Sequence, residues 1–203
     1  MAKRAVPEVN AGSMADIAFL LLIFFLVTTT IDTDAGLDRK LPPIVPPENP
    51  PVIRQKNIFT VVVNKNNQLL VEDKLMNLKD VRQAAIDFLD NGAGTGEDAC
   101  SYCKGNRDPE SSDNPDKAII SLQNDRETKY STYIAVQNEL VAAYNELRSR
   151  YTKEKFNIDY RELEAEAINP KTSASRLEEI TPVLEEIKAK YPQNLSEAEP
   201  KSN

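Results

Sequence analysis

Histidine and tryptophan are absent from this chain, and cysteine occurs only twice in 203 residues. Without histidine, Ser/His/Asp catalysis, Cys/His nucleophile pairs and His-ligated zinc are excluded together. Glycine is scarce, at six residues, and none of them forms a phosphate-cradling loop. Nor is there an internal repeat or a metal-ligand spacing, so no metal site is expected. An excess of positive charge is missing too: 25 basic against 32 acidic residues give a net charge of −7. Such a chain repels a phosphate backbone, and nucleic acid is not an expected partner.

What the chain does have is one long apolar run, from Met14 to Ile31, whose only ionisable residue is Asp16. A bilayer core of about 30 Å needs roughly 20 mainly apolar helical residues. Ile17 to Ile31 alone reaches about 22 Å at 1.5 Å per residue. To span, the helix must recruit Ala11 through Ala15, which gives a transmembrane helix over 10–31 and draws Asp16 below the interface. An acid there is costly, by about 2.5 kcal/mol or more if charged at the helix centre, and such residues usually mark ion or proton pathways. A second reading stays open: Ser13-x-x-Asp16 before an apolar run is also a capping-box-like start, with the carboxylate in the positive first turn. A cap tolerates Asp16→Asn, since Asn caps nearly as well as Asp. A proton carrier does not.

Orientation follows from the flanks. Lys3 and Arg4 precede the run and Asp32, Asp34 and Asp38 follow it, so the positive-inside rule puts an arm of residues 1–9 in the cytoplasm and residues 32–203 outside. Residues 1–31 carry two charges of each sign, and the whole imbalance lies beyond them. A cleaved signal peptide competes with this reading. However, the apolar run ends in Thr-Thr-Thr-Ile-Asp-Thr-Asp rather than an Ala-x-Ala-like site, which favours a retained anchor in the inner (cytoplasmic) membrane.

Residues 32–57 read as a linker: Pro42, Pro43, Pro46, Pro47, Pro50 and Pro51 forbid helix and favour polyproline II. A stiff spacer and a disordered tether are both compatible with that composition. The domain then fills 58–203. Ile58–Asn64 and Gln68–Val71 flank an Asn-rich turn and predict a β-hairpin. Leu78, Val81, Ala85, Phe88 and Leu89 make one helical face, with Asn77 as the expected cap and Gly92 as the stop. Residues 91–117 offer almost nothing to bury and read as an inserted loop. Its Cys100-Ser101-Tyr102-Cys103 admits redox catalysis, a zinc site shared between subunits, or a disulfide in an oxidising compartment; the disulfide is favoured. Ala118–Gln123 predicts a buried strand. Ser131 or Thr132 is expected to cap a long helix whose Ile134, Val136, Leu140, Ala143, Tyr144, Leu147 and Tyr151 form a core stripe. Two helices, 160–168 and 174–190, make a C-terminal extension over 157–203, and Leu195–Ala198 is a candidate edge strand. The acidic pairs Glu178-Glu179 and Glu185-Glu186 are expected on solvated outer faces. The fold class is therefore α+β: one N-terminal transmembrane helix, a Pro-rich linker, and a small periplasmic α/β domain with helices appended.

This combination resembles the ExbD/TolR family of biopolymer transport proteins. The likeness rests on Asn10 through Thr30, where Asn10 stands six residues before Asp16 and Phe-Leu-Leu-Leu-Ile-Phe-Phe-Leu-Val follows. It continues in Leu37, Asp38, Arg39, Lys40, Leu41 and Pro42, similar to the family's extended partner-binding segment, and in the strand–strand–helix–strand–helix order from Ile58 to Arg150. The resemblance implies a non-enzyme with no cofactor, using protons as coupling ion. It implies a homodimer whose spans sit in a pentameric ExbB-like ring, energising a TonB-like protein that drives outer-membrane transport. Asp16 would carry the proton, Asn10 and Ser13 would lie at the helix entrance, and Thr28, Thr29 and Thr30 would line its far end. A TolR-like or stator-like scaffold contacting peptidoglycan is the alternative. The Cys-bearing insertion and the helix-rich tail depart from the family pattern.

Overall fold

The computed structural model describes residues 11–28 and 53–198, in two units, Met1–Leu37 and Asp38–Asn203. The first unit contains α1, Ala11–Thr28. Ala, Leu, Met and Phe favour it, and no proline or internal glycine interrupts it after Gly12. Its 18 residues make about 27 Å at 1.5 Å per residue. Among the described residues, no helix is long and apolar enough to cross a membrane. Asn10 and Thr29–Ile31, which complete the expected span, lie outside the described residues, as does most of the 32–57 linker.

The second unit is a five-stranded sheet in the order β3-β2-β1-β4-β5. β1, Ile58–Val63, buries Phe59, Val61 and Val63 on one face. The Asn64 carboxamide organises the turn that follows, accepting from Asn66 N and Gln68 N at 2.9 Å each. β2, Leu69–Val71, returns antiparallel to β1. A third strand that the sequence pattern does not announce, β3, Lys74–Met76, pairs antiparallel with β2. Its two-residue turn places Glu72 and Asp73 in the left-handed region at φ 48° and 61°. Asn-Gly is the usual signal for such a turn, and an acidic pair hides it.

α2, Leu78–Leu89, crosses the sheet and buries Val81, Ala85, Phe88 and Leu89. Asn77 occupies the cap position, but its carboxamide donates to Asp80 at 3.5 Å instead of capping the backbone. β4, Ile119–Asn124, runs parallel to β1. α3, Tyr130–Phe156, is 27 residues long and starts two or three residues earlier than a Ser131 or Thr132 cap requires. The side chain of Asn67, from the hairpin turn, accepts from Lys129 N at 2.9 Å and Thr132 Oγ1 at 3.3 Å. The start of α3 is thus tied by a residue some 60 positions away. Val136, Leu140, Ala143, Tyr144 and Leu147 face the sheet as the spacing predicts, while Ile134 is half-exposed.

α4, Tyr160–Ile168, and α5, Ala174–Lys190, are capped by Asp159 and Ser173. With the end of α3 they enclose a second small core of Tyr160, Leu163, Ile180, Leu184 and Ile187. The chain returns as β5, Leu195–Ala198, parallel to β4 at the sheet edge. Glu178, Glu179 and Glu185 are exposed, as expected of outer faces, and two members of the acidic pairs meet bases there: Glu179 meets Arg176 at 3.1 Å, and Glu186 pairs with Lys155. The expectation that 91–117 buries almost nothing is corrected. Asn91, Cys100, Cys103, Ser112 and Asp113 are all buried, because polar side chains close the loop's backbone bonds from within.

Candidate functional site

Two kinds of ionisable site stand out, one in each unit. In α1, Asp16 lies in the second turn, and the first turn holds no acid. Ser13 is therefore inside the helix rather than at its cap, and the capping-box geometry is not formed. At i−4 and i−3 from Asp16 stand Gly12 and Ser13; at i+3, i+4 and i+7 stand Phe19, Leu20 and Ile23, so the acid tops an otherwise apolar face. The helix is apolar on every side, and Met14, Ile17, Phe19, Leu22, Phe24 and Phe25 are each 60% or more exposed. Such a surface is ordinarily covered, by protein or by lipid. Among the described residues, Asp16 has no hydrogen-bond or ion-pair partner. Thr28 ends α1. Asn10, Thr29, Thr30 and the Leu37–Pro42 segment lie outside the described residues.

In the folded unit, the buried ionic groups among the described residues are all partnered. Asp90, 4% exposed, accepts from Arg150 Nη1 at 2.8 Å and Nη2 at 2.5 Å, Tyr191 OH at 3.0 Å and Lys104 N at 3.1 Å. Those hydrogen bonds hold the Arg150 guanidinium charged more firmly than usual. Burial raises the Tyr191 phenol, and the Asp90 charge raises it further. Arg148 is buried without a carboxylate: Nε and Nη2 donate to Tyr191 O at 3.0 and 2.8 Å, and Nη1 to Tyr160 OH at 3.2 Å. Tyr160 OH passes its own hydrogen to Glu164 at 2.8 Å.

Asp113 closes the opposite end of the insertion. It meets Lys56 Nζ at 2.6 Å and accepts from Asn57 Nδ2 at 3.2 Å, with Arg54 at 3.5 Å. Burial works to raise its pKa, but the Lys56 and Asn57 hydrogen bonds and the Lys56 and Arg54 charges hold it below the ordinary carboxylate value. Cys100 and Cys103 are joined, with their Cα atoms 5.5 Å apart.

None of these groups forms a nucleophile–base pair. A solvent-open groove between Leu75, Met76, Asn77, Leu78, Ser131 and Thr132 contains no titratable side chain. The sequence offered no signal for Asp90, Asp113, Arg148 or Arg150, because each meets partners 40 to 100 residues away that no local pattern connects.

A family model described as biopolymer transport protein ExbD/TolR matches residues 2–153 of the chain. No curated protein matches it. The match takes in α1, the sheet through β4 and most of α3, and it stops before α4, α5 and β5.

Proposed function

Because the chain belongs to the ExbD/TolR family of biopolymer transport proteins, we propose that it couples the proton-motive force to transport as an ExbD-like subunit of an inner-membrane motor. Members of the family are not enzymes, and they work in membrane-associated complexes with ExbB/TolQ-like partners. In this reading α1, lengthened by Asn10 and Thr29–Ile31, spans the inner membrane with residues 1–9 in the cytoplasm and the folded unit in the periplasm. Two copies place their spans in a pentameric ExbB-like ring, and the folded unit engages a TonB-like protein that energises outer-membrane transport. No cofactor takes part.

One observation supports this most: α1 exposes apolar side chains along its described length and carries one carboxyl that has no partner among the described residues. A carboxyl out of water is costly while charged, and such groups in membrane helices usually mark ion or proton pathways. Asp16 can then take a proton on one side of the membrane and lose it on the other. Moving one charge through about 100 mV supplies roughly 2.3 kcal/mol, enough to bias a step. Ser13 and Thr28–Thr30 offer polar lining at the two ends.

The deciding experiment replaces Asp16 with Asn in cells that depend on this subunit. The reading predicts that energised uptake falls to background while the variant still inserts and assembles with its ring partner. Uptake at the wild-type rate would leave the TolR-like scaffold reading, which binding of the folded unit to peptidoglycan would then support.

A further inference from the structure

The C-x-x-C pair is not used by the proton reading, and what it touches is specific. We propose that the Cys100–Cys103 bridge is a redox-sensitive fastener that holds Tyr102 on the last turn of α5, so that its reduction releases the end of α5 and β5 while the sheet–helix core stays closed. The proposal does not depend on the role of Asp16.

Tyr102 lies between the two bridged cysteines. Its hydroxyl donates to Lys190 O at 2.9 Å. Its ring meets those of Tyr191 and Tyr151 edge-on at 5.4 and 5.6 Å, and Lys190 Nζ sits 5.1 Å over its face. Burial, with a smaller contribution from Asp116, raises the phenol to about 12, so Tyr102 stays a donor throughout the physiological range. The final carbonyls of α5 have no helical partner. Tyr102 takes one of them and Arg148 the next, at Tyr191 O. Only three residues then separate Tyr191 from β5, an edge strand of four residues paired with β4 alone.

The bridge is packed against both ends of its loop. Gly92 adopts φ +67°, and a Cβ there would come within 2.6 Å of Cys103 Cβ. A Cβ on Gly105 would meet Asp90 O at 2.5 Å. Lys104, next to the bridge, donates its backbone N–H to Asp90 at 3.1 Å and pairs with Glu154 through its ammonium. Without the bridge, the four residues from Cys100 to Cys103 regain backbone freedom, in competition with one hydrogen bond and the ring contacts. The far end of the insertion is held separately, through Asp113 to Lys56 and Asn57, and stays in place.

The two cysteines are nearly covered, Cys100 at 5% and Cys103 at 7% exposure, so a reductant reaches the bridge when the loop opens. A dithiol then supplies the electrons. Its thiolate attacks one sulfur and the bridge breaks to a mixed disulfide. Its second thiolate displaces the remaining cysteine, leaving Cys100 and Cys103 as thiols with two electrons and two protons gained, and the dithiol oxidised to its own disulfide.

Hydrogen exchange of the full chain in detergent micelles, before and after dithiothreitol, tests this. Reduction is expected to speed exchange at Ile187–Ala198 by about tenfold or more, with the amides of β1 unchanged. Cys100→Ser/Cys103→Ser should match the reduced chain without reductant. Tyr102→Phe, with the bridge intact, should loosen Ile187–Ala198 to a lesser degree, which keeps the test decisive if the double variant does not fold. Unaltered exchange at Ile187–Ala198 on reduction or in Tyr102→Phe overturns the proposal, and so does an equal rise in β1.

Discussion

The helix α1 and the folded unit treat charge in opposite ways. In the folded unit every buried ionic side chain among the described residues is satisfied by the chain itself: Asp90 by Arg150, Tyr191 and Lys104, Asp113 by Lys56 and Asn57, and Arg148 by the carbonyl of Tyr191. In α1 a single carboxyl sits on a wholly apolar, exposed helix with no partner among the described residues. A desolvated charge left alone is expensive. In the proposed reading, a neighbouring subunit supplies the surroundings that Asp16 lacks among the described residues.

Substitutions can break or sharpen that contrast. The largest effect is expected at Asp16: Asp16→Asn should reduce transport to background in a cell-based uptake assay and leave the urea midpoint of the folded unit where it was. A shift in that midpoint would mean that Asp16 is structural after all. Asp90→Ala should do the reverse. It strands Arg150 and the Tyr191 hydroxyl in a buried site, at a cost of about 3 kcal/mol read from urea unfolding, and Asp90→Asn should recover part of it.

Asp113 gives a graded form of the same comparison. Its pKa is held below the ordinary carboxylate value in the folded chain, so its contribution to stability is complete above that ordinary value. The contribution is lost as pH falls through the folded value. Thermal melting should therefore decline at acid pH more steeply in the wild type than in Asp113→Asn; parallel declines would show that the cluster stores no such stability. The smallest effect belongs to the surface pair Lys155–Glu186, where both side chains are substantially exposed. Glu186→Gln should leave the urea midpoint unchanged within error, and a clear loss would mean that even solvated pairs carry the fold.

How much of this was legible in the sequence depended on the range over which each signal acts. β1, β2, α2, β4 and the core stripe of α3 declare themselves through periods of 2 and 3.6 within one segment, and α4, α5 and the edge strand β5 fell where local pattern placed them. β3 escaped because three residues carry no period, and its left-handed turn is made by Glu72-Asp73. The start of α3 was misplaced because Asn67, from another element, ties it. The interior of 91–117 was invisible for a related reason. Its buried groups are Ser112, Asp113 and the two cysteines, which composition reads as loop, and only their distant partners make them a core. Asp16 was conspicuous in the sequence because one acid in an apolar run needs no partner to be noticed, whereas Asp90 and Arg148 look like ordinary surface charges.

Proton flux is the most direct test of the account. The chain and an ExbB-like ring partner would be reconstituted together in liposomes carrying a pH-sensitive dye, and a potential imposed. The account predicts a current of protons with wild-type Asp16 that vanishes in Asp16→Asn at equal incorporation. Equal flux in both would contradict it.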